Sequence, residues 1–246
     1  KTLKKSIRDK AKTTVTRAAK AKYTSWLRAL NKGIEQQLAN TPAIPLSKFE
    51  TTVGSGLYVI YYVGVHRPVE AYEPIAKRNR RNKFAEPMYV GVAKPSGHSH
   101  QLRGINPMAG NSIQNSLRTH AKSILAVNEH MKLDIRDFYF KAIPIDVLNA
   151  EVAKMVLIDK FAPIWNTVVK GFANHNVGST RLGQRRSRWD ILHMGRAWGA
   201  MQVWNEEGTE EILRDLQGHY SERKEIARQV KKENKIVGAK PQAISA

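Results

Sequence analysis

Tyrosine stands beside glycine in two short motifs, Gly56-Leu57-Tyr58 and Tyr89-Val90-Gly91, each set in a run of aromatic and β-branched residues. If those runs form adjacent strands, two phenolic oxygens share one site, where they can orient a water and a phosphate oxygen by hydrogen bonding. The same pattern also describes two tyrosines packed in a core, and alone it does not choose between them. Further along come an imidazole, His120, and a side-chain amide, Asn166, which closes the motif Phe161-Ala162-Pro163-Ile164-Trp165-Asn166.

The elements that must position these groups follow from periodicity. Gly56–Val65 reads as a buried strand and Met88–Ala93 as its partner, separated by the polar, basic stretch Arg67–Lys83 with its run Lys77–Arg81. Lys94–Asn111, with three Gly and two Pro, reads as a loop. Ser112–Glu129 has helical periodicity, Ile135–Ile145 is strand-like, and Asp146–Phe161 is helical until Pro163 stops it. The expected class is α+β, a small mixed or antiparallel sheet flanked by helices with helical extensions at both ends. The expected organisation is an arm over 1–50, a core over 51–170 with an insertion at 66–86, and a recognition segment with C-terminal helices over 171–246. No internal repeat is visible.

Composition narrows the function. In 246 residues, 41 Lys and Arg face 21 Asp and Glu, a formal charge of +20 that calls for a polyanionic partner. Hydrophobic residues at 41% suffice for a core. The absence of Cys excludes disulfide scaffolds, Cys-ligated zinc, iron–sulfur clusters and thiol nucleophiles. No apolar run approaches the roughly 18 residues of a membrane span and no signal-peptide pattern is present, so a soluble cytoplasmic protein is expected. The charge is uneven. From Lys1 to Ile34 eleven Lys or Arg accompany the single acid Asp9, with Trp26, Leu27, Leu30 and Ile34 at helical spacing. This basic arm is either a solvated face or a DNA contact. From Asn205 to Ala246 eight acids cancel eight bases around the helical pattern Ile212, Leu213, Leu216, so polyanion contact is expected upstream.

The order of motifs resembles the GIY-YIG nuclease superfamily: a strand like the first motif, a strand like the second, a helix with His120, and a helix closing at Pro163 to Asn166. The stretch from Trp165 through Gly178, with Arg181, Gln184, Arg186 to Asp190 and Leu192 to Trp198, is similar to the type II restriction endonucleases that read CCGCGG. The resemblance covers roughly Gly56 to Trp198. It implies phosphodiester hydrolysis with Tyr58 as general base, Tyr89 positioning the phosphate, His120 assisting and Asn166 orienting the site. It further implies an arginine one turn before the histidine, and a glutamate on the next helix holding one divalent metal, Mg²⁺ if the protein cuts DNA.

Two positions depart from that pattern. Four residues before His120 stands Ser116 in place of arginine, and Arg118 is about 200° around the helix from His120. Twelve residues before Asn166, at the expected glutamate, stands Lys154, with Glu151 one turn earlier and able to pair with it. Three outcomes stay open. Arg118 and Glu151 take over, giving a metal-dependent endonuclease; or the site is silent and sequence-specific DNA binding survives; or Lys154 serves as an amine nucleophile in metal-independent base excision or strand scission.

Between Lys170 and Trp204 lie six Lys or Arg and the single acid Asp190. Candidate DNA contacts are Asn174, His175, Arg181, Gln184, Arg185, Arg186, Arg188 and Arg196, arginine forks suiting guanine in a G·C-rich target. Trp189, Trp198 and Trp204 are expected in the core. A palindromic target implies double-stranded DNA as partner and a homodimer, through the C-terminal helices or the insertion. A structural RNA-binding protein also fits the charge, but leaves the paired tyrosines and the Arg188-to-His193 segment without a role.

Overall fold

The computed structural model describes residues 25, 29–95, 106–127, 131–174 and 183–238. Four strands, β1 (Ile44–Pro45), β2 (Gly56–Tyr62), β3 (Tyr89–Ala93) and β4 (Phe138–Pro144), form one sheet in the order β1-β4-β2-β3 with every pair antiparallel. Helix α1 takes in residues 29–40. It is followed by α2 (Glu73–Asn79), α3 (Ser112–Leu125), α4 (Val147–Phe161), α5 (Ile164–Thr167), α6 (Arg188–Leu192), α7 (Ala197–Ala200) and α8 (Thr209–Gly238). The α+β class expected from the sequence is the class observed.

All seven residues of β2 are buried, and their alternation builds two separate cores. Leu57, Val59 and Tyr61 face α4 through Ala150, Ala153 and Leu157, with Leu38 of α1 at the margin. Tyr58, Ile60 and Tyr62 face α3 through Ile113, Leu117, Ala121 and Ile124, and the larger core beyond it contains Trp165, Phe172 and Trp189. A strand covered on both faces reads as a continuous apolar run, which is why β2 was legible.

The strand boundaries are set by specific bonds. β2 ends at Tyr62 rather than Val65 because the next backbone groups turn onto Asp137, whose fully buried carboxylate accepts from the N–H groups of Val65, His66 and Arg67, each at 2.7 Å. The 3₁₀ turn Ile135–Asp137 that places this carboxylate shortens β4 to start at Phe138. At the other end of β2, Gly56 has φ 142°, and a Cβ there would lie 2.5 Å from the Ile143 carbonyl oxygen. Helix α4 begins as expected, with Asp146 accepting from the Asn149 N–H, and ends at left-handed Ala162 before Pro163.

The stretch 66–86 folds back on the sheet. Asn79 bonds the Tyr62 carbonyl, Arg80 bonds those of Val63 and Gly64, and the basic run is matched by Glu73 and Glu86. Helix α8 rests on it, with Ile212 and Leu216 buried, Tyr220 donating to the Ala71 carbonyl and Arg223 paired to Glu86. The two segments expected as alternative dimer surfaces therefore pack on each other. No helix among the described residues is long and apolar enough to cross a membrane.

Candidate active site

Tyr58 on β2 pairs in register with Gly91 on β3, and this explains the second motif's glycine. A Cβ at Gly91 would come within 2.3 Å of Cζ and 2.4 Å of the hydroxyl of Tyr58, so only glycine lets the phenol lie across β3. The Tyr58 hydroxyl then reaches His120 Nε2 at 2.8 Å. Ser116 and Tyr89 are its other hydroxyl partners. His120 comes from α3, four residues and about one turn beyond Ser116, so both face the sheet. Its ring stacks on Phe172 at 4.4 Å between centroids. Two phenols, a serine hydroxyl and an imidazole thus converge where β2, β3 and α3 meet.

Asn166 is not part of that convergence. Its carboxamide accepts from the Val90 N–H at 2.8 Å and donates to the Val90 carbonyl at 2.9 Å, clasping the edge strand β3 between Tyr89 and Gly91. Arg118 is also elsewhere: its guanidinium lies over the Phe49 ring at 5.6 Å and bonds Asn115, on the helix face turned from the tyrosines. The structure therefore leaves Ser116, rather than Arg118, on the site face of α3.

Glu151 and Lys154 project from α4 beside the edge of β3. Glu151 receives Lys94, the residue after β3, on Oε1 at 3.1 Å and Lys154 on Oε2 at 3.5 Å. Burial pushes the Glu151 carboxyl up, but the two ammonium groups outweigh it and hold its pKa below the ordinary value. The carboxylate is felt at the hydroxyls: burial first, and then Glu151, push Tyr89 up to about 12 against the lowering effect of its bond to Tyr58. Burial likewise raises Tyr58 well above a free phenol, helped by Tyr89 and opposed by Ser116. Both tyrosines enter the site as neutral phenols. Lys94 gave no signal in sequence beyond following a strand that ends in the site.

The family model for the Eco29kI GIY-YIG domain, a restriction endonuclease family, matches residues 50–220, well over half of the chain. The chain belongs to the Eco29kI GIY-YIG family. It is thus a nuclease domain whose substrate is DNA. No curated protein sequence matches the chain. GIY-YIG nucleases typically use a divalent metal, and the residues present can be tested against one. Among the described residues no three His, Cys, Asp or Glu side chains are grouped to hold a metal ion. At Glu151 a dication would meet an ammonium at each carboxylate oxygen, a repulsion that carbonyl or water ligands do not offset. The side chains as arranged do not fit the metal.

The segment expected to read DNA divides sharply. Arg196 is 5% exposed, ion-paired to Asp190 at 2.7 Å, bonded to the carbonyls of Gly171 and Phe172, and held between the rings of Trp189 and Trp198. Arg188 is taken by Glu207 and Asp215, and Arg186 bonds the carbonyls of Gly199 and Ala200. These three hold the segment together. His193 belongs with them, accepting from the Tyr72 hydroxyl at 2.6 Å while its Nδ1–H donates to the Met131 carbonyl. Gln184 and Arg185 are exposed, and Asn174 is half-buried with its carbonyl near Arg196. His175 and Arg181 lie outside the described residues, as does the basic arm through residue 24. Trp189 is in the core as expected, but Trp204 is 69% exposed, with Arg186 over its ring at 5.2 Å. Backbone bonds between Gln184, Arg186 and Val203 form an isolated parallel bridge that brings Arg185 and Trp204 into one place.

Proposed function

We propose that this protein is a site-specific endonuclease of double-stranded DNA, cutting a G·C-rich palindrome such as CCGCGG as a homodimer with one active site for each strand. The observation that carries this reading is the Tyr58–His120 contact of 2.8 Å inside a buried group of hydroxyls. Tyr58, too weakly acidic to stand as phenolate, acts as a relay. Its oxygen takes a proton from the attacking water while its own proton passes to His120 Nε2, in the tautomer that carries hydrogen on Nδ1. Tyr89 and Ser116 donate to phosphate oxygens, and Asn166 fixes the strand that bears Tyr89. Gln184, Arg185, Asn174 and the ring of Trp204 contact the duplex.

The test is cleavage of a plasmid carrying CCGCGG by the full chain. Tyr58→Phe should lower the single-turnover rate by about 10²- to 10⁴-fold while leaving affinity for the DNA unchanged. Equal cutting by the variant would refute the relay. A second reading, DNA binding without cutting, is favoured by the lysines that neutralise Glu151. Its signature is a tight, specific complex with intact DNA under every metal condition. The amine chemistry at Lys154 has less support, since a neutral nucleophile needs a dry setting and this side chain is 33% exposed and faces a carboxylate.

A further inference from the structure

We propose that Lys94 and Lys154, gathered on Glu151, form an ammonium clamp that replaces the divalent metal, so that the chain cuts DNA without one. The inference rests on the endonuclease reading and adds to it how the charge of the reacting phosphate is met. Three observations support it. The two ammonium groups stand 3.1 and 3.5 Å from opposite oxygens of one carboxylate, giving a cluster of net charge +1 where α4 packs on the end of β3. Their side chains are 64% and 33% exposed, so N–H groups not directed at Glu151 face the solvent from which a phosphate arrives. The other group expected to meet phosphate charge, the arginine of α3, is absent from the site face, where Ser116 stands.

Glu151 then has a positioning role. It holds two flexible lysines in one place, between α4 and the end of the strand that bears Tyr89, before DNA binds, and this preorganisation is what an ammonium needs to act like a fixed charge. In the reaction the water oxygen forms a bond to phosphorus and the ester P–O bond opposite breaks. The water proton passes through Tyr58 to His120, and the departing oxygen takes a proton from solvent. The clamp stabilises the added negative charge on the non-bridging oxygens. No redox partner is involved.

The experiment compares cleavage of supercoiled plasmid carrying CCGCGG in Mg²⁺ and in EDTA by the full chain, by Lys94→Met, Lys154→Met and Lys154→Glu, and by Lys160→Met, a control whose lysine pairs with Glu35. Thermal melting of each variant and its affinity for the same DNA are measured alongside. The expected result is wild-type and control cutting at similar rates in both buffers. Each methionine variant should be slower by about 10²-fold in both while it melts and binds normally, and Lys154→Glu should cut only with Mg²⁺. Wild-type cutting that EDTA abolishes and Mg²⁺ restores would overturn the clamp and leave the nuclease standing. Cutting in EDTA that survives both methionine variants, or that yields a borohydride-trapped adduct, would also overturn it. Intact DNA in both buffers with the complex formed would overturn clamp and endonuclease together.

Discussion

At the scale of single residues, the site is built by exclusion as much as by contact. Gly91 contributes no atom to the chemistry, yet the absence of its Cβ is what lets Tyr58 reach His120. Gly91→Ala would force the ring away through a contact of 2.3 Å with Cζ. The expected outcome is a cleavage loss as large as that of Tyr58→Phe, with destabilisation of about 1–3 kcal/mol from overpacking. Single-turnover kinetics and chemical denaturation of the same sample check both parts. Normal cutting by the alanine variant would mean that Tyr58 does not act from this position. Asn166 works in a comparable way, through the backbone of Val90 rather than by reaching the hydroxyls.

At the scale of elements, the segment from Arg185 to Trp204 is two things at once. Its inner part is a buried bracket of Trp189, Asp190, His193 and Arg196; its outer part is an isolated bridge exposing Arg185 and Trp204. The two parts should respond differently to truncation. Arg196→Ala leaves Asp190 as an uncompensated charge at 3% exposure and should cost about 3–5 kcal/mol of stability. Arg185→Ala should leave stability unchanged and weaken specific DNA binding by about 1–3 kcal/mol, with relaxed preference at one base pair. Urea unfolding and a binding titration against substituted duplexes separate the effects. If Arg196→Ala folds normally and loses only affinity, the bracket is misassigned.

At the scale of the whole molecule, stability is tied to keeping one buried imidazole neutral. His193 is fully buried, and burial lowers its pKa to about 3 from the ordinary value of 6.5, with Arg196 adding to the effect and the Met131 carbonyl opposing it. The unfolded chain therefore binds a proton below about pH 6.5 that the folded chain refuses until about pH 3. Stability is fully present above that window and is lost as pH falls through it. The melting temperature should drop steadily from pH 6.5 toward pH 4, and His193→Phe, which cannot titrate, should flatten the slope. An unchanged slope in that variant would place the pH dependence on other groups. The charge of +20 is the complementary global feature, since self-repulsion opposes compaction until a polyanion is bound.

The sequence by itself determined the pieces whose physics is local. The continuous burial of β2, its partnership with the strand that carries Tyr89-Val90-Gly91, the stop of α4 at Pro163 and the phosphate-seeking charge all follow from side-chain type and spacing. It also marked Ser116 and Lys154 as out of pattern. Tertiary structure decided what depends on groups distant in the chain. The Glu151–Lys154 pair follows from i,i+3 spacing, but Lys94 joins it only because β3 and α4 pack together, which no spacing rule connects. The arginines were alike as letters: Arg196 found a buried carboxylate and two indoles, Arg118 a phenyl ring, and Arg185 the solvent. A guanidinium's role is set by the partner within a few ångströms, and that partner is a property of the fold.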